Sequence, residues 1–528
     1  MAVKAFNINN PMRRTIMFKK TLALALSLVL SASLFTGCGG SASSAPGAQG
    51  GNPAAGGAAR DDLVVILPDD FTTLDPFKLP SSAEISFCAN IFDGLVEYGP
   101  DHQVVAALAD SWEMNEAGDS YTFHLKKGVK FHNGEEMKAN DVVYSVNRFI
   151  SEEWMLFGSF MIKDAEAIDD YTVKINLKYP YGPFLSMLTY MYIANEKAMT
   201  EMGDDAAKHP IGTGAYKFKQ WDVAQQIVLE ANPDYYKGAP SINTLTFKII
   251  PDSNTAFVAL ETGEADLSFN CSAMDFEQAK NNPNLATDST TSNYFYTVNF
   301  NSEKVDKQVR KALSHAVDRD ALNVLVNEGT GIVADLPLVE GQEGYTTDIT
   351  TYPYDVELSK SMLKEAGYDE SNPLTLDFFY GEGTENNKLG QALQSMFAEV
   401  GVNLELNPVE TGAWWQLFGD GDYTVSRGGY PMEDQNTDSP YFDMYHKDGT
   451  FNVSRVNNPE VNSLLEQARQ ELDADKRSEL YVQVNQILTD EAYFIPCYFR
   501  ASTIVYNANL KNVKAVNNQR YLYREFSW

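Results

Sequence analysis

The residue types able to do chemistry are plentiful in this chain, but few of them stand at spacings that commit them to a reaction. Its 528 residues include six histidines, His102, His124, His132, His209, His315 and His446. None is spaced as a metal ligand set, so no built-in metal site and no cofactor is expected. The four cysteines form no CxxC pair. HExxH, GxSxG and Walker A strings are absent. Gly329-Thr-Gly331-Ile-Val-Ala334 fits GxGxxA, but it follows a helical pattern and runs into Pro337, so it reads as a loop. Asp and Glu number 72, too many for a pair of carboxylates to signal glycoside hydrolysis by itself. Nothing here specifies covalent catalysis, and the chain reads as a non-enzyme.

One thiol does stand in a telling place. Lys19-Lys20 precede an uncharged run, Thr21–Phe35, rich in Leu, Ala and Val, and Gly37, Cys38, Gly39 and Gly40 end it. A run of about fifteen residues is short for a membrane span, which needs about twenty, and suits a signal peptide over residues 1–37. Leu34-Phe-Thr-Gly-Cys38 resembles a bacterial lipobox, which implies that Cys38 takes a lipid and becomes the first mature residue. Residues 39–59 contain only Gly, Ser, Ala, Pro, Gln and Asn, and with Cys38 they make a lipidated, flexible tether over 38–59. Its reach is about 25 Å. The expected location is outside the cytoplasm, on the cell membrane. Cys88, Cys271 and Cys497 are left to the body, where one disulfide would leave one free thiol, and small buried hydrophobes are the simpler reading.

The elements that must position any site alternate in type along the body. Lys and Arg number 41 against 72 acids, a net charge of −31, which excludes a nucleic-acid surface built on bulk positive charge. With 44% hydrophobic residues the chain can fill more than one core. Leu63–Leu67 reads as a buried strand. Val173–Leu177 and Leu245–Ile250 alternate as half-buried or edge strands, and Tyr121–Leu125, Lys126-Lys-Gly128 and Val129–Phe131 read as a hairpin. Val309, Ala312, Leu313, Ala316 and Val317 form a helical stripe. Asp355 caps a helix that stops at Gly367, and Asn458-Pro459 opens another with Val461, Leu464, Leu465, Ala468 and Leu472 on one face. The class is mixed α/β with more than one lobe.

Several blocks together resemble the extracellular solute-binding proteins of the dipeptide, oligopeptide and nickel class, family 5 of the binding components of ABC importers. They start at Leu74-Asp-Pro76 and include Ile91–Tyr98, Leu108–Glu113, Tyr121–Glu135 leading into Ala139–Ser145, Gly212–Lys217, Asn232–Tyr236, Gly263–Leu267, Val309–Leu313 and Ala316–Arg319. Their order behind a lipobox is the specific feature. The resemblance implies a two-lobed clamp with the periplasmic-binding-protein fold, class II and large, with an extra N-terminal subdomain. It implies a first lobe over 60–291 with the subdomain at about 103–206, an inserted second lobe over 292–502, and a return to the first lobe over 503–528. The glycines in the blocks have structural readings: Gly128 and Gly134 turn hairpins, and Gly212 and Gly214 allow a tight bend.

It also implies a function, which is to capture di- or oligopeptides and deliver them to an ABC permease, as a monomer held by its lipid and without nucleic acid as a partner. The alternative within the fold is a nickel chelate, an oligosaccharide or another small solute. A peptide needs a carboxylate for its amine, a cation for its carboxylate and aromatic walls. By resemblance Arg427, in a turn after the strand Tyr423–Ser426, lies near the ligand and Tyr430 lies in the wall. Glu433 or Asp434 is the nearest match to the amine-binding acid, with Asp438 competing. Trp414 and Trp415, after Glu410, supply one core residue and one wall residue, since neighbours cannot share a helix face.

Overall fold

A computed structural model of the chain describes residues 60–528 except 80, 100–102, 153–160, 270, 432–435 and 519. The signal segment, Cys38 and the tether lie outside the described residues. The remainder is organised around an 11-stranded sheet and a smaller four-stranded one. The large sheet runs from Asn403–Val409 through Thr375–Gly381 and Val425–Pro431 to two long strands, Leu285–Phe300 and Phe494–Asn507. It continues through Leu267–Phe269, Asp62–Leu67, Thr244–Ile249 and Gln226–Ala231 to Tyr216–Asp222. Parallel pairs at 375–409 and at 62–67 with 244–249 mix with antiparallel ones, as helical crossovers and hairpins alternate along the chain.

The two long strands belong to both ends of this sheet. Leu285–Phe300 is rich in Thr, Tyr and Phe, residues that fit a pleated surface. Its first half pairs with residues 501–507 and its second half with 494–499 and with Val425–Pro431. Between Thr291 and Phe295 the register slips, and a second irregularity falls at Tyr296/Thr297, where Pro496 lacks the N–H a ladder needs. Hydrophobic cores lie on either side of the slip. Two are built from residues 63–285 with 504–526, and two from residues 295–499.

The recognisable blocks meet in the interior of the first of these regions. Thr213, from Gly212–Lys217, and Tyr235, from Asn232–Tyr236, each donate a 2.9 Å hydrogen bond to Asp93 of Ile91–Tyr98. Gly212 and Gly214 sit where a Cβ would stand 2.0 and 2.7 Å from the Ile91 carbonyl oxygen, so close approach of two backbones, rather than a tight bend, demands glycine there. The blocks identify a fold because they pack on one another.

Most expected elements form. Lys307–His315 buries Val309, Ala312 and Leu313, with Ala316 and Val317 buried just beyond it. Asp355 caps Val356–Glu365, and Asn458 caps Pro459–Gln470. Gly329–Ala334 opens no helix, and Ile332–Val333 pairs with Phe499 and Tyr498 instead. Among the described residues Cys88, Cys271 and Cys497 are all free.

Two readings are corrected and one is narrowed. Tyr121–Leu125 is a strand, but it pairs with Ala109–Met114 and Thr172–Leu177 in the small sheet and not with Val129–Phe131. The return is a separate tight loop in which Lys130 meets Glu136 around Gly134, whose φ is +89°. Local alternation identifies a strand without naming its partner. Of the two readings of Thr172–Leu177 and Thr244–Ile249 the half-buried one holds, since both alternate in burial and have neighbours on both sides. Leu472 lies past the end of its helix, 37% exposed, because the chain leaves the helix at Glu471.

Candidate functional site

The slip between the two long strands makes the floor of a cleft of about 820 Å³. Ser292, Asn293 and Tyr294 are the residues left without a cross-strand partner in the ladder to Phe494–Asn507, and all three line it. A bulge aims side chains out of the pleat, and here it opens the sheet to a space between two sets of helices. One wall is Cys271–Lys280, whose helix Ala273–Ala279 is capped by Ser272. The other comes from Val326–Thr330, at the end of helix Arg319–Asn327, and from Thr384, Glu385 and Lys388 in the first turns of helix Thr384–Glu399. Arg500, Ala501 and Thr503 complete the floor.

The lining carries both signs of charge, with Glu277, Glu328 and Glu385 beside Lys280, Lys388 and Arg500, and the rings of Phe276, Tyr294 and Tyr296. Arg500 donates to Glu385 over 2.6 Å and Lys388 stands 3.8 Å from Glu328. Burial pushes the Tyr296 hydroxyl up to about 12, against the pull of Arg427 and Arg500, so it stays protonated and can donate. Among the described residues no group of three or more His, Cys, Asp or Glu is placed to hold a metal ion.

Arg427 lies behind this floor. It sits within strand Val425–Pro431 opposite Val298, and the turn expected around it does not exist. Its Nη1 donates to the Tyr294 hydroxyl at 3.3 Å and its guanidinium carbon lies 4.5 Å from the Tyr296 ring centre. Its Nε is buried without a hydrogen-bond partner. Tyr430, three residues on, projects from the other face of the strand. It is 3% exposed, donates to Asp443 at 2.8 Å and packs edge-on to Phe451, so it is no cleft wall. Odd spacing along a strand separates the two by necessity.

Glu433 and Asp434 lie outside the described residues. Asp438, their competitor, is enclosed: Arg469 donates to both its oxygens at 3.0–3.2 Å, Tyr181 at 2.8 Å and Tyr481 at 3.4 Å. Every lone pair that could meet an amine is directed into the protein. Trp414 is half-buried on helix Thr411–Asp420, with its Nε1 donating to Ser426 and its ring stacked on Phe418, away from the cleft. Trp415 follows it on the same helix.

Tyr294, Tyr296, Glu385, Lys388 and Arg500 are cleft residues that motif reading passes over. The alternating aromatics of Tyr294-Phe-Tyr296 were a usable signal for a strand with one ringed face. Nothing local marks Glu385 or Arg500, which are 115 positions apart.

Comparison with known proteins bears on the same region. The sequence model described as "Bacterial extracellular solute-binding proteins, family 5 Middle" matches residues 103–452. The chain is 30% identical to the oligopeptide-binding protein AppA of Bacillus subtilis, covering 97% of this chain and 99% of that one. It is 28% identical to the glutathione-binding protein GsiB of Pectobacterium atrosepticum, over 86% and 91% of the two chains. Among solved structures, the periplasmic binding protein DppA of Helicobacter pylori in complex with the peptide STSA superposes with a TM-score of 0.76 at 27% identity, covering 89% of this chain and 98% of that one.

Proposed function

This chain belongs to the bacterial extracellular solute-binding proteins of family 5, and from that premise we propose that it captures short peptides and hands them to an ABC permease. The observation that carries the peptide reading is the mixed lining of the cleft: three acids, three bases and three aromatic rings around about 820 Å³. A zwitterion with variable side chains needs both signs at fixed points and tolerant ring surface between them. The volume falls in the range of small-ligand sites. The printed names of AppA and of DppA with its bound peptide support the same substrate class.

We divide the chain into a first lobe over 60–291, with a subdomain at about 103–206, an inserted lobe over 292–502 and a return over 503–528. The register slip at Thr291/Phe295 and the parting of the hydrophobic cores support this division. Ligand contacts from both walls would favour approach of the lobes, and a permease can read that change without any covalent step. The protein acts as a monomer leashed by a lipid on Cys38. Substituting Cys38→Ala should move it from the membrane fraction to the soluble one.

The test of substrate is native mass spectrometry of the protein purified without denaturation, reading the mass of whatever is released from it. A family of short peptides is the expected result. A nickel chelate or a sugar would keep the fold and replace the substrate.

A further inference from the structure

Two guanidinium groups reach one ring in this cleft, and a single carboxylate answers them. The Cζ atoms of Arg427 and Arg500 stand 4.5 and 5.6 Å from the centre of Tyr296. Glu385 bonds only Arg500, through Oε2, while its Oε1 is buried with no donor. Arg427 bonds a tyrosine hydroxyl and, among the described residues, no acid, Glu385 acting on it only through its charge. Among the described residues, then, the two cations at this ring share one anion, inside a chain whose net charge is −31. A buried cation without its counter-ion is expensive, and a fold that needed these arginines only for packing would gain by losing one. What the site lacks is an anion.

Exposure says which arginine the anion meets. The Arg500 side chain is 52% exposed and lines the cleft with Tyr294, Tyr296 and Glu385, whereas Arg427 supplies its charge from behind them. We propose that Arg500 is the residue that grips the ligand's terminal carboxylate, that Arg427 backs it with a second positive charge, and that Glu385 is the internal anion which the ligand displaces from Arg500. This deepens the peptide reading and rests on it. The guanidinium fork suits a carboxylate in two parallel bonds, and it can exchange one carboxylate for another without a change of geometry. Glu385 is not stranded by the exchange. It lies in the first turn of helix Thr384–Glu399, where the helix dipole favours its charge, and Lys388 stands three residues along the same helix. No bond is made or broken, and no proton moves.

The experiment is a competition between random di- to pentapeptides synthesised as free acids and as C-terminal amides, offered to the full-length protein, with the bound fraction read by mass spectrometry. The wild type should enrich acids over amides at least tenfold. Arg500→Met should bring that ratio below twofold, and Arg500→Lys, which keeps the charge and loses the fork, should fall between them. Glu385→Gln should raise the acid preference, because the competing anion is gone. An unaltered ratio in Arg500→Met overturns the role of Arg500, and a weakened acid preference in Glu385→Gln overturns the exchange. Peptides that bind the wild type in neither form overturn the peptide reading itself, and this assignment falls with it.

Discussion

Arg469, buried, and Arg427, half-buried, both lie over aromatic rings, and their surroundings could hardly differ more. Arg469, 3.6 Å over Phe442, spends its Nε and Nη2 on Asp438, and the same carboxylate collects two tyrosine hydroxyls. Arg427, over Tyr296, has one long bond to a hydroxyl and a buried Nε with no partner. A saturated network is what a fold keeps for its own geometry; an unsaturated one beside a cleft is a place prepared for a group that the chain does not contain. Residue type and ring contact are alike in the two regions, so partner count and burial are the features that separate them.

The contrast can be broken in several ways, and the largest effect belongs to the saturated side. Asp438→Ala strands the Arg469 charge in the interior and should cost about 3–5 kcal/mol, read as a lowered urea midpoint at unchanged m-value. A cost under about 1 kcal/mol would mean that Arg469 finds water and that the network is not saturated after all.

His132 offers a related test, a group satisfied only when neutral. Gly212 N–H donates to its Nδ1 at 3.4 Å, which leaves Nε2–H to donate to the Gly214 carbonyl at 3.0 Å. Burial lowers its pKa from 6.5 to about 4. The unfolded chain therefore takes up a proton that the folded one refuses between those values. Stability should be complete above about pH 6.5 and fall as the pH drops toward 4, by on the order of 2–3 kcal/mol. His132→Gln should flatten that part of the profile, and a profile unchanged by the substitution would show that the ring is protonated in the fold.

On the unsaturated side the effect should appear in binding. Arg427→Met removes a cation that no carboxylate among the described residues bonds, so the thermal midpoint should move little, within about 1 kcal/mol. Affinity for free-acid peptides should fall, because the second positive charge behind Arg500 is gone. Calorimetry showing the reverse, a large loss of stability with affinity intact, would put Arg427 in the same class as Arg469. The smallest change is Tyr181→Phe, which deletes one of several bonds to Asp438 and should cost about 1 kcal/mol.

The elements of the fold were readable where a local pattern suffices: the stripe from Val309 to Val317, the caps at Asp355 and Asn458, the buried strand Leu63–Leu67. Pairing was not. The Tyr121–Leu125 strand advertised a hairpin with its neighbour and found its partners in Ala109–Met114 and Thr172–Leu177, because period two says which face is buried and nothing about which strand lies alongside. The site was half readable. Resemblance pointed to Arg427, which lies behind the cleft floor against Tyr294 and Tyr296, and to Tyr430, which the strand's own alternation turns to the opposite face.

The amino-acid sequence alone determined the class of the protein, since ordered blocks that must pack around Asp93 leave a signature in residue types and spacings along the chain. It determined an acidic body and supplied the material for the four cores. Only the tertiary structure decided where charge goes unanswered. Whether an arginine is saturated depends on which carboxylates the fold delivers to it from far along the chain, Asp438 to Arg469 and Glu385 to Arg500, with none among the described residues bonded to Arg427. Residue spacing carries no record of such distances, because long-range contacts are set by the packing of whole elements and not by the residues beside them.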